Sequence, residues 1–311
     1  MKSLITNLQI PLISKKMKKF NFKSKKLLTT ALFITSGFTI LSHSNPVKAE
    51  ACPSSDTISS PSAFGSSVGS CYGTPEEYGV TIYKMGLCTS NPAPSSAGSA
   101  PDTSSCSFNF EKDDGVGEDA SFASGGEVDL SEAYSSRPDV GTYTYAYIEI
   151  KNSFDIKAKY GPLGDASNTT YFTNGTLGEA GTVTGSSTTP TASDGYATTT
   201  APLNTFFGDG GAEVCAATAE ESVSGGTIRA YLLDSSDKLI ADNSSITECS
   251  GVTKLLGIMQ LNNAVNITSS TTSLKSTFKV TNNGTTVIYD DSADGLLFES
   301  GPFSVTFETR E

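Results

Sequence analysis

From Gly141 to Tyr160 the side chains alternate without a break. Thr142, Thr144, Ala146, Ile148, Ile150, Asn152, Phe154, Ile156, Ala158 and Tyr160 share one parity, and Tyr143, Tyr145, Tyr147, Glu149, Lys151, Ser153, Asp155, Lys157 and Lys159 share the other. A period of two marks a strand, because successive Cβ atoms leave opposite faces of a sheet, and here it predicts one apolar face and one wet face. A single straight strand of this length would run roughly 60 Å at about 3.3 Å per residue. A bend near Asn152-Ser153 is therefore expected, with the chain changing sheets there.

The same pattern recurs in shorter pieces. Tyr78 to Cys88 carries apolar residues on both parities, as a strand inside a sheet sandwich does. Further strands are expected at Ser107–Phe110, Glu127–Leu130, Thr227–Leu233, Lys238–Ala241, Val252–Ile267, Ser276–Val280, Thr285–Tyr289, Leu296–Glu299 and Phe303–Phe307. Asn283-Gly284, set between two apolar runs, reads as a hairpin turn. Helix signals are confined to Ala212–Ser222 and Lys254–Asn263, each enough for a turn or two. Ala51 to Ser70 is rich in Ser and Pro and reads as an extended, poorly packed lead-in. Gly161 to Gly211 is dominated by Gly, Ser, Thr, Asp and Pro and reads as a long surface insert.

These elements predict an all-β protein: a two-sheet antiparallel β-sandwich, immunoglobulin-like or prealbumin-like, stabilised by disulfides and carrying a long Gly/Ser/Thr-rich insert. The expected organisation is a leader over 1–49, a lead-in over 50–77 and a sandwich over 78–311 with its insert at 161–211. Two sub-sandwiches, 78–160 and 212–311, are the alternative. Pro138-Asp139-Val140-Gly141-Thr142-Tyr143 locally resembles the turn into a strand of prealbumin-like secreted domains.

The leader is read from eight lysines between Lys2 and Lys26, the apolar run Leu27–Leu41 and a polar stretch ending in small residues, which together describe a secretory signal peptide. Fifteen apolar residues fall short of the roughly 20 that cross a bilayer. Cleavage after Ala49 or Ala51 is expected, and Met17 opens a shorter leader than Met1. The first 50 residues hold nine lysines and one glutamate, so the remainder has 12 basic and 32 acidic residues and a net charge of about −20. Such a surface repels nucleic acid and anionic membranes. It keeps an exported protein soluble, or it collects divalent cations.

Composition also bears on chemistry. The one histidine, His43, falls in the leader, and there is no Trp. Removal of the leader excludes Ser-His-Asp triads, Cys-His dyads and His-ligated metals, since each needs an imidazole. Cys52, Cys71, Cys88, Cys106, Cys215 and Cys249 all lie beyond it, with no Cys-x-x-Cys, and an even number in an exported chain implies disulfides. Six cysteines allow 15 pairings. Neighbour pairing is expected, because Cys88 and Cys106 bracket a turn-rich segment and Cys215 and Cys249 flank a hairpin.

The remaining candidate sites are few. Asp290-Asp291-Ser292-Ala293-Asp294-Gly295 places oxygens at positions one, three and five and glycine at six, as calcium loops do, with Asp290 and Asp294 the ligand candidates. Gly301 stands at position twelve where a bidentate Glu is needed, and the alternative is an ordinary acidic turn. Asp113, Asp114, Glu118 and Asp119 form a second acidic turn. Tyr143, Tyr145 and Tyr147 form a stripe that either stacks on sugars or contacts a partner, or packs beneath the insert. Ser235-x-x-Lys238 has the spacing of a Ser-Lys catalytic pair but spans a turn rather than a helix start. Paired carboxylates for glycoside cleavage are abundant and none stands out.

The expectation is an exported, non-catalytic structural or adhesive protein. Its partners would be other envelope or extracellular proteins or glycans, with no nucleic acid, no cofactor and no membrane span after cleavage. A calcium-assisted carbohydrate-binding module is the alternative, and an acid-based hydrolase follows it.

Overall fold

The computed structural model describes residues 51–112, 115–123, 127–129, 137–177, 183–187, 199–206, 214–223 and 225–311. The expected leader lies outside them. Ser60 starts the single α-helix among these residues, α1 (Pro61–Ser67): its hydroxyl accepts the Ala63 N–H at 3.0 Å, and Pro61 is preset for the first helical position. Phe64 is fully buried, edge-on to Tyr160 at 5.4 Å. The expected loose lead-in is therefore wrong for this stretch: one buried aromatic and a cap fix seven residues that carry no long apolar pattern. Gly65 permits the approach, since a Cβ there would fall 2.2 Å from the ring of Tyr289.

The strands follow in order: β1 (Ser70–Gly73), β2 (Glu77–Cys88), β3 (Cys106–Glu111), β4 (Glu118–Ala123), β5 (Glu127–Asp129), β6 (Gly141–Lys157) and β7 (Lys159–Tyr160). Then come β8 (Tyr171–Leu177), β9 (Val183–Ser186), β10 (Thr199–Pro202), β11 (Thr218–Val223) and β12 (Gly226–Leu233). The chain ends with β13 (Lys254–Ile267), β14 (Ser273–Lys279), β15 (Thr285–Asp290), β16 (Gly295–Ser300) and β17 (Ser304–Arg310). All pairings between them are antiparallel and make three sheets: β1-β15-β16-β9-β8-β7, β11-β12-β13-β6-β2-β3 with β10 on β6 and β4 on β2, and β17-β14-β5. The protein is an all-β, sandwich-like fold.

The long alternating segment is the spine of the eight-stranded sheet. β6 pairs along one edge with β2 and along the other first with β13, as far as Lys151 opposite Lys254, then with β10 from Ser153 opposite Pro202. Its partner β2 slips register twice between Val80 and Lys84, opposite residues 149–154, so the sheet is irregular where the bend was expected. The change of sheet comes later than expected: β6 stays in one sheet to Lys157, and β7 joins the six-stranded sheet two residues on. Thr173 holds the crossing, with its hydroxyl accepting the Ala158 N–H at 3.3 Å and its own N–H bonding the Ala158 carbonyl at 3.0 Å.

Three other expectations are corrected. The segment 161–211 is not only a surface excursion, because it supplies β8 and β9 to one sheet and β10 to another; Gly-, Ser- and Thr-rich strands lack the apolar alternation that would announce them. Where the two helix signals were read, the described residues form strands, β11 from Thr218 in the first, whose residues 212 and 213 lie outside the described ones, and β13 throughout the second, since pairing with β12 and β6 outweighs weak local propensity. Asn283-Gly284 makes a turn but no hairpin: β14 and β15 on either side belong to different sheets. Asn282 takes φ of 58° and the Gly284 N–H reaches the Val280 carbonyl at 2.8 Å, which steps the chain from one sheet to the next. Strands on both sides of the 161–211 segment share the eight-stranded sheet.

Among the described residues the buried side-chain oxygens Ser276 Oγ and Asn283 Oδ1 have no hydrogen-bond partner, and the first lies in the core. Ser276 lies between Leu274 and Phe278 on the buried face of β14, is 1% exposed, and its hydroxyl makes no hydrogen bond. Burying an unsatisfied hydroxyl costs about 1–3 kcal/mol. Ser276→Ala is therefore expected to raise stability by about 1 kcal/mol in urea denaturation, and a loss of stability would mean the hydroxyl is bonded.

Candidate functional site

The centre of β6 is covered on both faces. On one face Ile148 and Ala146 pack with Met85, Ile228, Met259 and Phe278. On the other, Tyr147, Tyr231, Leu233, Leu256 and Ile258 form a second apolar cluster with Cys88 and Phe108. Its roof is the loop between Cys88 and Cys106 together with the turn after β12. Pro92 and Pro94 are buried in that loop, and it is stitched to the turn by Gly98 N–H to Leu239 O at 2.8 Å and Leu239 N–H to Ser99 O at 2.9 Å.

This overturns the wet face expected for the tyrosines. Tyr143 and Tyr147 are 3% and 2% exposed, and Tyr145 is half-buried. Tyr143 spends its hydroxyl on the Asp139 carbonyl at 2.8 Å, closing the turn into β6. Tyr147 stacks edge-on with Phe108 at 5.3 Å. Tyr147, with Tyr145 beside it, lies under the disulfide-closed loop 89–105 rather than the 161–211 segment, whereas Tyr143 packs with Ala146, Met259, Ile267 and Leu274 in a separate cluster, so the three rings present no open stripe to a ligand.

Beneath this roof lies a charged network that the sequence reading did not single out. Glu149, 2% exposed at its side chain, accepts the Tyr147 hydroxyl on Oε2 at 2.9 Å and Lys254 Nζ on Oε1 at 2.7 Å. Lys254 also donates to Asp237 Oδ1 at 2.5 Å and sits 5.3 Å from the centroid of the Tyr83 ring. Lys84 stands directly across from Glu149 in the β2–β6 register and pairs with Glu111 at 2.8 Å. The β2 register shift that ends at Lys84 sets this side chain in the row Leu256, Glu149, Lys84, Glu111. Signs alternate along it, which is how several charges share a poorly solvated surface.

The protonation of the network follows from its contacts. Burial favours a neutral Lys254 amine, but the hydrogen bonds to Asp237 and Glu149 and their charges outweigh it and raise its pKa. Burial, then the charge of Glu149, pushes the Tyr147 phenol far up, so it stays a donor. The signal for this site was present as charges set inside strongly apolar strands, Glu149 between two isoleucines and Lys254 ahead of two leucines, but nothing linear joins them to Asp237.

The other candidates are placed as follows. Asp290 and Asp294 end the β15–β16 hairpin. Asp290 Oδ1 accepts the Ser292 N–H at 3.0 Å, the Ser292 hydroxyl at 2.6 Å and the Ala293 N–H at 3.2 Å, while Asp294 accepts the Tyr289 hydroxyl at 3.3 Å. The carboxylates thus hold the turn, and Gly301 is bonded to the Gly284 carbonyl. Among the described residues no group of three or more His, Cys, Asp or Glu is placed to hold a metal ion. In the second acidic turn Asp113 and Asp114 lie outside the described residues; Glu118 pairs with Lys112 at 2.8 Å and Asp119 accepts the Thr81 hydroxyl at 2.8 Å. Ser235 and Lys238 lie in the turn between Leu233 and Leu239, where Asp234 accepts the Ser236 and Lys238 N–H groups.

A further acid stands apart, in the row Tyr72, Thr286, Glu299 of the six-stranded sheet. Burial pushes the Glu299 carboxyl up to about 8, and burial followed by the charges of Glu221 and Glu299 raises Tyr72 to about 12. The folded state holds this proton more tightly than the unfolded chain, so its contribution is full below the ordinary carboxyl range and is lost as pH rises towards 8. Glu299→Gln is expected to melt higher than the wild type at pH 8 and equally near pH 4; equal melting at both would contradict the burial.

The cysteines pair as neighbours: Cys52–Cys71, Cys88–Cys106 and Cys215–Cys249, with none free. Among the described residues no helix is long and apolar enough to cross a membrane. Both facts are compatible with an exported protein. Compared with known proteins, the chain matches no family model, no curated sequence and no solved structure.

Proposed function

We propose that the chain is an exported, non-catalytic protein of the cell envelope or exterior, with a structural or adhesive role and other envelope proteins or glycans as partners. The observation that carries this reading is the set of three local disulfides, each closing a loop of 18 to 34 residues on a β scaffold. Such bonds persist in oxidising compartments and are rare where thiols are kept reduced. The self-paired charges support it too: a buried carboxylate, Glu149, is bound to a tyrosine and a lysine beneath a roof rather than facing an open cleft. Cell fractionation tests the compartment, with the protein expected outside the cytoplasm and a cytosolic pool in the reduced state contradicting it.

Calcium-assisted sugar binding has weaker support, since two tyrosines of the proposed stripe are buried and Asp290 is engaged in its own turn. Millimolar calcium is expected to leave Tm unchanged. A rise of several degrees would favour the binding module.

A further inference from the structure

We infer that Lys254 and Asp237 become joined by an amide bond formed within the folded chain, with Glu149 as the proton carrier. The inference is independent of where the protein resides. Lys254 Nζ lies 2.5 Å from Asp237 Oδ1 and 2.7 Å from Glu149 Oε1, so nucleophile, electrophile and a carboxylate able to move protons meet at one nitrogen. The three groups come from different elements, β13, the turn after β12, and β6. Each is held independently: Glu149 by the Tyr147 hydroxyl, Lys254 by its place in the β6–β13 ladder, and Asp237 by the N–H to Asp234 carbonyl bond at 3.1 Å. Groups held this way react with effective molarities of order 10⁵ M and above.

The chemistry balances without an outside reagent. The Lys254 ammonium gives a proton to Glu149, which passes it to an oxygen of the Asp237 carboxylate. The free amine attacks Asp237 Cγ, and a C–N bond forms. A second nitrogen proton travels by the same route to the departing oxygen, the C–O bond breaks, and one water leaves. Nothing is oxidised or reduced, and Glu149 ends as it began, accepting the new amide N–H. The bond removes the charges of Lys254, 23% exposed, and Asp237, 39% exposed, and leaves Glu149 with the Tyr147 hydroxyl and the new amide N–H as donors and Lys84 across the strand. Asp237, 39% exposed at the mouth, gives the water a way out.

Peptide mapping of the reduced, denatured full chain tests this. Trypsin is expected to leave Lys254 uncut and to yield Ala230–Lys238 joined to Leu239–Lys275, one water lighter than the two peptides apart. Asp237→Asn should give the same joined product with loss of ammonia in place of water, and Glu149→Gln should give separate peptides with Lys254 cut. Separate peptides from the wild type overturn the bond, and a joined product from Glu149→Gln overturns the role of Glu149.

Discussion

Lys254→Met is expected to cost about 3 kcal/mol in denaturant unfolding, the largest loss for any single charged residue of the protein. The reason is what it leaves behind. Glu149 is 2% exposed at its side chain and loses the Lys254 nitrogen 2.7 Å from Oε1, its donor both as the ammonium and as the amide N–H of the cross-link, retaining the Tyr147 hydroxyl and Lys84 across the strand. Removing one partner of a buried pair typically costs about 3–5 kcal/mol; the partial exposure of Lys254 and the presence of Lys84 place this case at the lower end. The double variant Glu149→Leu/Lys254→Met is expected to recover at least half of the loss, because no charge then remains stranded. A double variant as unstable as the sum of the singles would mean that the two side chains act independently.

Replacing Cys88 and Cys106 together by alanine is expected to cost a further large amount, about 3 kcal/mol by the chain-entropy estimate for a loop of this size. The effect should be structural as well as entropic. The two cysteines sit opposite one another in the β2–β3 register, and the loop they close lies over Phe108, Tyr147 and the charged network. Loosening it should admit water to the tyrosine face of β6, so hydrogen exchange at Tyr145 to Glu149 should quicken more than at Ile258. The corresponding Cys215–Cys249 variant closes a longer loop, 34 residues, with an expected cost nearer 4 kcal/mol, and should leave exchange in β6 unchanged. Equal quickening in both variants would show that the roof is not held by its own disulfide.

The strand content of the protein was legible because β6 alternates apolar and polar residues along its length and β2 carries apolar residues on both parities, as a strand inside a sandwich does. What escaped was information that no single strand carries. Tyr143, Tyr145 and Tyr147 share a parity with Glu149 and Lys151, so the second face of β6 looked wet. It is dry at its centre because a loop of prolines and serines, polar by composition, is tied across it by a disulfide and by backbone bonds to Leu239. Asn283-Gly284 specifies a turn, yet local sequence does not say whether the strands it joins pair with each other or diverge into two sheets. β8, β9 and β10 are built mainly of Thr, Gly and Ser and depend on neighbours for their pairing. α1 holds through one cap and one ring, Phe64, too little for a periodic signal. For the charged network the residue types were visible as misfits within apolar runs, whereas their meeting depends on the β2 register shift and on the turn that brings Asp237 back over β13.

The account turns on one chemical state, a chain whose six thiols are all consumed in three short-range bonds outside the reducing cytoplasm. The direct measurement is a non-reducing peptide map of the native protein, trapped with an alkylating reagent at the moment of cell lysis. Cleavage at aspartate cuts between the partners at Asp56, Asp102 and Asp242, and cleavage at lysine parts Cys71 from Cys88 at Lys84. The predicted result is three linked peptide pairs, Cys52 with Cys71, Cys88 with Cys106 and Cys215 with Cys249, and no alkylated cysteine. Alkylated thiols at any of these positions, or peptides joining cysteines of different loops, would contradict it.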